Sequence, residues 1–238
     1  MIPNCYKKEN LPHKFCPGCG YGVILKSLGF IIDKMKIAHK SVLGLDIGCG
    51  LLAWNLFNVD TIQTHHGRTT PTMTGFKFAK PDEIVIALMG DGGGYAIGLQ
   101  SLLHSAHRND PITCILVNNT LYGMTGGQMA PTTLPQEITD TTPAGRDEKK
   151  TGLPFLGPEI IKTLTNDSAY IARASIRNPH VVEEYIKKAI KNQMKGRGFS
   201  FVEILSVCPT NWKTNAQETM EFLEKMESYY KLGEIKKP

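Results

Sequence analysis

The chain has 238 residues, 41% hydrophobic and 21% charged, values that suit a folded domain able to bury its own core without disulfide staples. Lys and Arg number 27 against 22 Asp and Glu, and this surplus of +5 is scattered, with only short clusters such as Lys149-Lys150 and Lys236-Lys237, which argues against nucleic acid as a partner. No stretch approaches the roughly 20 apolar residues of a membrane span, and residues 1–15 lack the pattern of a signal peptide, so the chain reads as cytoplasmic, with no membrane contact.

Taken in chain order, a helix is expected over residues 22–35 and a short apolar strand over 42–47. A second strand spans 84–89 and runs into a glycine-rich turn and a helix over 96–107; a third strand covers 112–117. Residues 129–156 are rich in Thr, Pro and Gly without a period and read as a long loop, of the kind that is usually a lid, a docking segment or disordered. A strand at 169–175, an amphipathic helix at 181–194, a strand at 199–207 and a helix at 219–230 complete the set. Continuous apolar strands between helices predict an α/β fold, a mainly parallel sheet covered by helices on both faces. One domain over 1–238 is expected, with an N-terminal segment (1–20) that carries the metal-binding Cys16 and Cys19, and with a C-terminal tail (about 213–238) that is free to lie on another chain.

The glycines cluster in 16–22, 43–50, 90–98 and 121–127. The strand 84–89 leads directly into Gly90-Asp91-Gly92-Gly93-Gly94 and a helix, where bare backbone and a helix N-terminus suit a phosphate. Asp91 would repel a bare phosphate, so its presence points to a divalent cation between the two; Mg²⁺ is typically held by one or two protein carboxylates plus phosphate oxygens. One helix and one strand later comes Asn118-Asn119, so Asp91 and Asn119 both leave the carboxyl ends of parallel strands, where open α/β sheets bind ligands.

Six cysteines in a reducing compartment point to metal, catalysis or core packing before disulfides. Cys16-Pro17-Gly18-Cys19 places two thiolates close enough to share a metal centre, which by itself is open to zinc, an iron–sulfur cluster or a redox dithiol. A four-thiolate centre needs two more from Cys5, Cys49, Cys114 and Cys208. Cys114 lies inside an apolar strand and reads as core, and Cys5 sits near the N-terminus; Cys49 and Cys208 follow strands on turns, where thiolates are free to converge. His65-His66-Gly67-Arg68 adds a cationic fork suited to phosphate or carboxylate and a histidine able to hydrogen-bond a cofactor or a passing intermediate; His66 and Arg68 are the candidate catalytic side chains.

The Gly90-Asp91-Gly92 and Asn118-Asn119 pair resembles the magnesium–diphosphate motif of thiamine diphosphate enzymes. The run Asn119-Thr120-Leu121-Tyr122-Gly123-Met124-Thr125-Gly126-Gly127-Gln128-Met129-Ala130-Pro131-Thr132-Thr133, with Cys16-Pro17-Gly18-Cys19-Gly20, Ile47-Gly48-Cys49, His66-Gly67-Arg68 and Cys208-Pro209-Thr210-Asn211-Trp212, is similar to the β subunit of 2-oxoacid:ferredoxin oxidoreductases in the same order over nearly the whole chain. The resemblance implies the thiamine diphosphate-binding fold, with Asp91, Asn119 and the Leu121 carbonyl holding Mg²⁺. It places Ile47, Gly48, Cys49, Gly50, His65, His66, Gly67, Arg68, Gly92, Gly93, Tyr122, Gly123, Met124 and Thr125 around the cofactor, and makes Cys16, Cys19, Cys49 and Cys208 ligands of a [4Fe–4S] cluster. It further implies a 2-oxoacid and coenzyme A as substrates, ferredoxin as acceptor, and a hetero-oligomer in which an α subunit supplies the pyrimidine half of the site, with γ and δ subunits as further members.

Cys49 stands one residue from Gly48, so a single bend would both touch the cofactor and ligate the cluster. No glutamate near these motifs is placed to protonate the aminopyrimidine, which is the reason to expect the α subunit. Gly93 and Gly50 replace the acidic residue and the serine that relatives often carry. Leu51-Leu52, where some 2-oxoglutarate enzymes have a lysine, favours a branched-chain 2-oxoacid such as 2-oxoisovalerate, with 2-oxoglutarate the other candidate. Two other readings are a non-redox thiamine diphosphate decarboxylase or synthase subunit, and a zinc-stabilised interaction module.

Overall fold

A computed structural model describes residues 1–238. In chain order the elements are α1 (Tyr21–Met35), β1 (Ser41–Leu45), β2 (Asp60–Gln63), α2 (Thr69–Ala79), β3 (Ile84–Gly90), α3 (Leu99–His107), β4 (Thr113–Asn118), β5 (Leu121–Tyr122), β6 (Gln128–Met129), α4 (Glu148–Thr151), α5 (Gly157–Leu164), β7 (Tyr170–Ser175), α6 (Pro179–Met194), β8 (Ser200–Leu205), α7 (Pro209–Trp212), α8 (Ala216–Tyr229) and β9 (Gly233–Lys236). Seven strands form one sheet in the order β2-β1-β3-β4-β8-β7-β9, all parallel except β9, which runs antiparallel to β7. No helix is long and apolar enough to cross a membrane.

Alternate residues of each strand serve opposite faces of the sheet. Leu43, Ile86, Leu88 and Ile115 pack with Ile24, Leu28 and Ile32 of α1 and Ile186 and Ile190 of α6. Val85, Ala87, Met89 and Leu116 pack with Met73 of α2, Leu102 of α3 and Ile161 of α5. Cys114 belongs to this second layer and is fully buried, as its place in an apolar strand predicts. The expected parallel sheet between two helix layers is therefore the observed one.

Four elements carry too little local signal to be foreseen. Strand β2 reads Asp-Thr-Ile-Gln and is half-exposed at the sheet edge; β9 is a short polar edge strand at the other side. Helix α2 is rich in Thr and contains Gly75 and Pro71, weak helix formers held by packing instead of propensity. Helix α5 follows the long loop and begins with Gly157-Pro158. The helix expected at 96–107 starts earlier, as a wide π turn over Gly93–Ile97, before settling into α3. The C-terminal tail does not leave the chain: Leu223, Met226 and Tyr230 pack under Leu134 and Leu205, and β9 extends the chain's own sheet.

The 129–156 loop is ordered by one buried cation. Arg146, 2% exposed, donates to the carbonyls of Pro131, Thr133, Gly152 and Leu153, so a single guanidinium gathers distant parts of the loop. Beside it, the Glu137 carboxyl accepts from the Thr120 hydroxyl at 2.6 Å and the Leu134 N–H at 2.7 Å. Burial pushes Glu137 up to about 8 despite these donors. A carboxyl whose folded value is raised contributes full stability below its unfolded value near 4.5 and loses it as pH rises through about 8. Glu137→Gln is expected to flatten that decline between pH 4.5 and 8, a decline whose slope for one carboxyl is at most about 1.4 kcal/mol for each step of one in pH. Denaturant midpoints measured across this range would check it, and an unchanged slope would reject the assignment.

Candidate functional site

Parallel register brings the carboxyl ends of the central strands together: Leu45 lies beside Leu88, Gly90 beside Val117, and Asn118 beside Leu205. The turns that follow these strands enclose a cleft of about 270 Å³. From the sequence-derived set, Ile47, Gly48, Cys49, Gly50, His66, Asp91, Gly92, Gly93, Asn119, Leu121, Tyr122, Gly123, Met124 and Thr125 line it. His65, Gly67 and Arg68 do not. His65 is exposed, the Gly67 N–H is taken by Asp46 at 2.7 Å, and the Arg68 guanidinium donates to the Ile97 carbonyl at 3.0 Å. Leu51 and Leu52 turn away from the cleft and pack against the core, so the aliphatic pocket expected from them is not on this wall. No lysine, arginine or glutamate of this chain lines the cleft.

Gly90, part of the glycine-rich turn read from the sequence, lines the cleft as well; Tyr21, Asp46 and Val117 line it without having been foreseen. For Asp46 a signal existed: like Asp91, it is an acidic residue closing an apolar strand. It is 2% exposed, and its carboxylate accepts from the Gly67 N–H and, at 3.2 Å, from the Thr69 hydroxyl. A Cβ at position 93 would collide with the Asp46 carboxylate, so the glycine found where relatives often carry an acidic residue is the one side chain that leaves room for Asp46. His66 Nδ1 faces the Ile47 carbonyl at 2.8 Å and Asp46 Oδ2 at 3.3 Å. Both groups accept, so Nδ1 carries a proton and Nε2 is left to act in the cleft.

Asp91 is 2% exposed; its Oδ1 accepts from the Gly92 N–H at 2.9 Å and its Oδ2 from the Thr132 hydroxyl at 2.5 Å. Burial pushes its carboxyl up to about 7, because these donors and the Asn119 N–H do not replace the hydration lost. Asn119 is 7% exposed, and its side chain takes no part in the hydrogen bonds that fix Asn118 and Thr120 on either side. A buried carboxylate, an amide oxygen and a main-chain carbonyl are the hard oxygen donors that suit Mg²⁺. The residues present therefore fit a magnesium–diphosphate group.

Cys16 is exposed, Cys19 and Cys49 are half-buried and Cys208 is buried; all are free thiols. The Cys16–Cys19 turn is tied to the strand leading to Cys208 by the Gly20 N–H on the Val207 carbonyl at 3.2 Å. A Cβ on Gly123 would sit 3.2 Å from Cys49 Sγ and 3.8 Å from Cys208 Sγ, so the two sulfurs face the same stretch of bare backbone. Asn211 Nδ2 donates to the Gly123 carbonyl at 2.7 Å and lies 3.6 Å from Cys208 Sγ. Burial pushes the Cys49 thiol up to about 12, with the charges of Cys19, Cys208 and Cys16 adding to it, and the Cys19 thiol up to about 11. Cys49 thus feels all three of the other sulfurs and Cys19 two of them, the setting in which bound iron would favour the thiolates. No three His, Cys, Asp or Glu side chains converge tightly enough for a single metal ion.

The family profile described as "Thiamine pyrophosphate enzyme, C-terminal TPP binding domain" matches residues 46–204. The ketoisovalerate oxidoreductase subunit VorA of Methanothermobacter thermautotrophicus is 39% identical over 220 residues, 91% of this chain and 46% of that protein. The 2-oxoglutarate synthase subunit KorB of Archaeoglobus fulgidus is 36% identical over 219 residues, 92% of this chain and 78% of that protein. Among solved structures, the 2-oxoglutarate:ferredoxin oxidoreductase from Magnetococcus marinus, with 2-oxoglutarate, coenzyme A and succinyl-CoA bound, superposes with a TM-score of 0.79 at 33% identity, covering 94% of this chain and 73% of that one. The chain spans about half the length of the VorA relatives it matches.

Proposed function

The chain belongs to the thiamine diphosphate-binding β subunits of the 2-oxoacid:ferredoxin oxidoreductases, and from that premise we propose that it supports oxidative decarboxylation of a 2-oxoacid with coenzyme A to acyl-CoA and CO2, a [4Fe–4S] cluster carrying the electrons to ferredoxin. One observation carries this reading: Cys49 is a wall of the cleft that holds Asp91 and Asn119, and its sulfur and that of Cys208 both approach the bare backbone of Gly123. When bound, thiamine diphosphate supplies an electron sink for the carbon that loses CO2. Asp91, Asn119 and the Leu121 carbonyl would hold the Mg²⁺ of its diphosphate, and Cys16, Cys19, Cys49 and Cys208 the cluster. A lone structural zinc would be held by the same class of ligand, four thiolates about 2.3 Å from one centre, so metal analysis separates the two.

His66 would take or return protons at Nε2, with Asp46 and the Ile47 carbonyl fixing the ring. The cleft offers no glutamate, so a partner α subunit supplies the pyrimidine half of the site, and the thiolates call for a reducing cytoplasm. The same cleft offers no cation to a second carboxylate, while Ile47, Val117 and Met124 give it an apolar side. A branched-chain 2-oxoacid such as 2-oxoisovalerate fits this wall better than 2-oxoglutarate.

The test is anaerobic purification of the chain with its partner, followed by iron and sulfide analysis and a panel of 2-oxoacids. The expected preparation is brown, bleaches on adding a 2-oxoacid with coenzyme A, turns over 2-oxoisovalerate fastest, and is inactive without the partner. A colourless protein containing zinc and no iron would refute the redox function; faster turnover of 2-oxoglutarate would refute the substrate preference alone.

A further inference from the structure

The two turns that carry Asp91 and Asn119 follow adjacent strands, with Gly90 beside Val117, and main chain crosses the gap between them once, through the Asn119 N–H on the Asp91 carboxylate. Two adjacent threonines of the long loop span that gap. Thr132 donates its hydroxyl to Asp91 Oδ2 at 2.5 Å. Thr133 donates its hydroxyl to the Thr120 carbonyl, next to Asn119, and accepts the Ala130 N–H at 2.8 Å. Both side chains are fully buried. Behind them, the Tyr230 hydroxyl donates to the Thr132 carbonyl at 2.6 Å, and the Tyr230 ring lies 5.2 Å from the guanidinium of Arg173. Tyr230 ends helix α8, so the C-terminal tail reaches the back of the cleft through one hydrogen bond.

We infer that Thr132 and Thr133 form a two-pronged clamp that sets the spacing of Asp91 and Asn119 for the cation, and that Tyr230 anchors the clamp from the tail. These are positioning residues, and the inference rests on the magnesium–diphosphate reading given above. The physical ground is the lone-pair count. A carboxylate offers about four acceptor positions; Gly92 takes one on Oδ1, Thr132 takes one on Oδ2 and the Asn119 N–H takes a third, and these donors together set the direction left open to a cation. Without the Thr132 hydroxyl, Asp91 keeps only its main-chain donors, and the cation must supply on binding the ordering that the side-chain donor gave. Partners of this kind around metal ligands typically alter metal affinity by about 10- to 100-fold. A threonine that merely filled space would leave affinity unchanged when replaced by a side chain of the same shape.

The test uses the complete complex stripped of cofactor and titrated with Mg²⁺ in the presence of thiamine diphosphate, with binding read by calorimetry. Thr132→Val keeps the shape and removes the donor, and is expected to weaken Mg²⁺ binding about 10-fold; Thr132→Ser restores the donor and returns affinity to near the parent value. Tyr230→Phe keeps the ring on Arg173, removes the anchor, and shows a smaller loss in the same direction. Affinity of Thr132→Val equal to that of the parent would overturn the clamp while leaving the magnesium reading intact. If the parent complex itself takes up thiamine diphosphate without any dependence on Mg²⁺, the reading and the clamp fall together. Should Thr132→Val fail to fold, Thr133→Val is expected to show the same loss, and parent-like affinity there would overturn the clamp.

Discussion

Asp91→Asn is expected to abolish magnesium-dependent binding of thiamine diphosphate while leaving the cofactor-free protein as stable as the parent or more so. The two effects have opposite signs for one reason. Asp91 is almost fully buried, and its carboxyl is pushed up to about 7, so its charge is unfavourable until a cation meets it. Asparagine keeps the size, an acceptor oxygen for the Gly92 N–H and an Nδ2 that donates to the Thr132 hydroxyl, but carries no charge. Removing one member of a buried ion pair costs about 3–5 kcal/mol, which corresponds to roughly 10²–10⁴ in affinity at about 1.4 kcal/mol per tenfold. Calorimetric titration gives the first effect and the thermal midpoint of the cofactor-free complex gives the second. A purely structural Asp91 would lower both together, and parent-like affinity would remove Asp91 from the ligand set.

Cys49→Ala is the second large effect. The variant complex is expected to lose its visible absorption and its iron and sulfide, with ferredoxin reduction falling to background and Mg²⁺ affinity staying near that of the parent. The separation follows from the geometry: the Cys49 and Cys208 sulfurs both approach the bare backbone of Gly123, whereas Asp91 and Asn119 stand on the neighbouring turns after β3 and β4. Cys114→Ala serves as the control, because Cys114 lies in the sheet face under α3 and should leave the iron content untouched. Parent-like iron content in Cys49→Ala would exclude it as a ligand and with it the shared bend between cofactor and cluster.

Much of the site is legible in the sequence because it depends on strand ends. An apolar run that stops at an acidic or amide residue announces both the strand and its functional edge, which is what places Asp91 and Asn119 from the sequence alone. The cysteines follow the same logic: Cys114 inside a run is core, and Cys49 and Cys208 beyond runs are free to converge. Asp46 obeys this rule as well, but its signal is masked by the more conspicuous Ile47-Gly48-Cys49 beside it. Adjacency in sequence groups His65 and Arg68 with His66, yet the turn at Gly67 sends only His66 into the cleft.

By itself the sequence determined the layered parallel sheet, the strand ends that bear the site and the family, because buried strands need unbroken apolar runs and tight turns need glycine, and both demands are local. Only the tertiary structure decided how the long loop and the tail are used. Thr132 and Tyr230 act through hydrogen bonds between segments far apart in the chain, Arg146 and Thr133 through bonds that fold the loop back on itself and on the turn before it, and the buried pair of Arg173 with Glu203 links β7 to β8. A polar residue in a strand or loop looks the same in sequence whether its partner is water or a distant carbonyl. Folding alone supplies the partner, so these contacts carry no local signature.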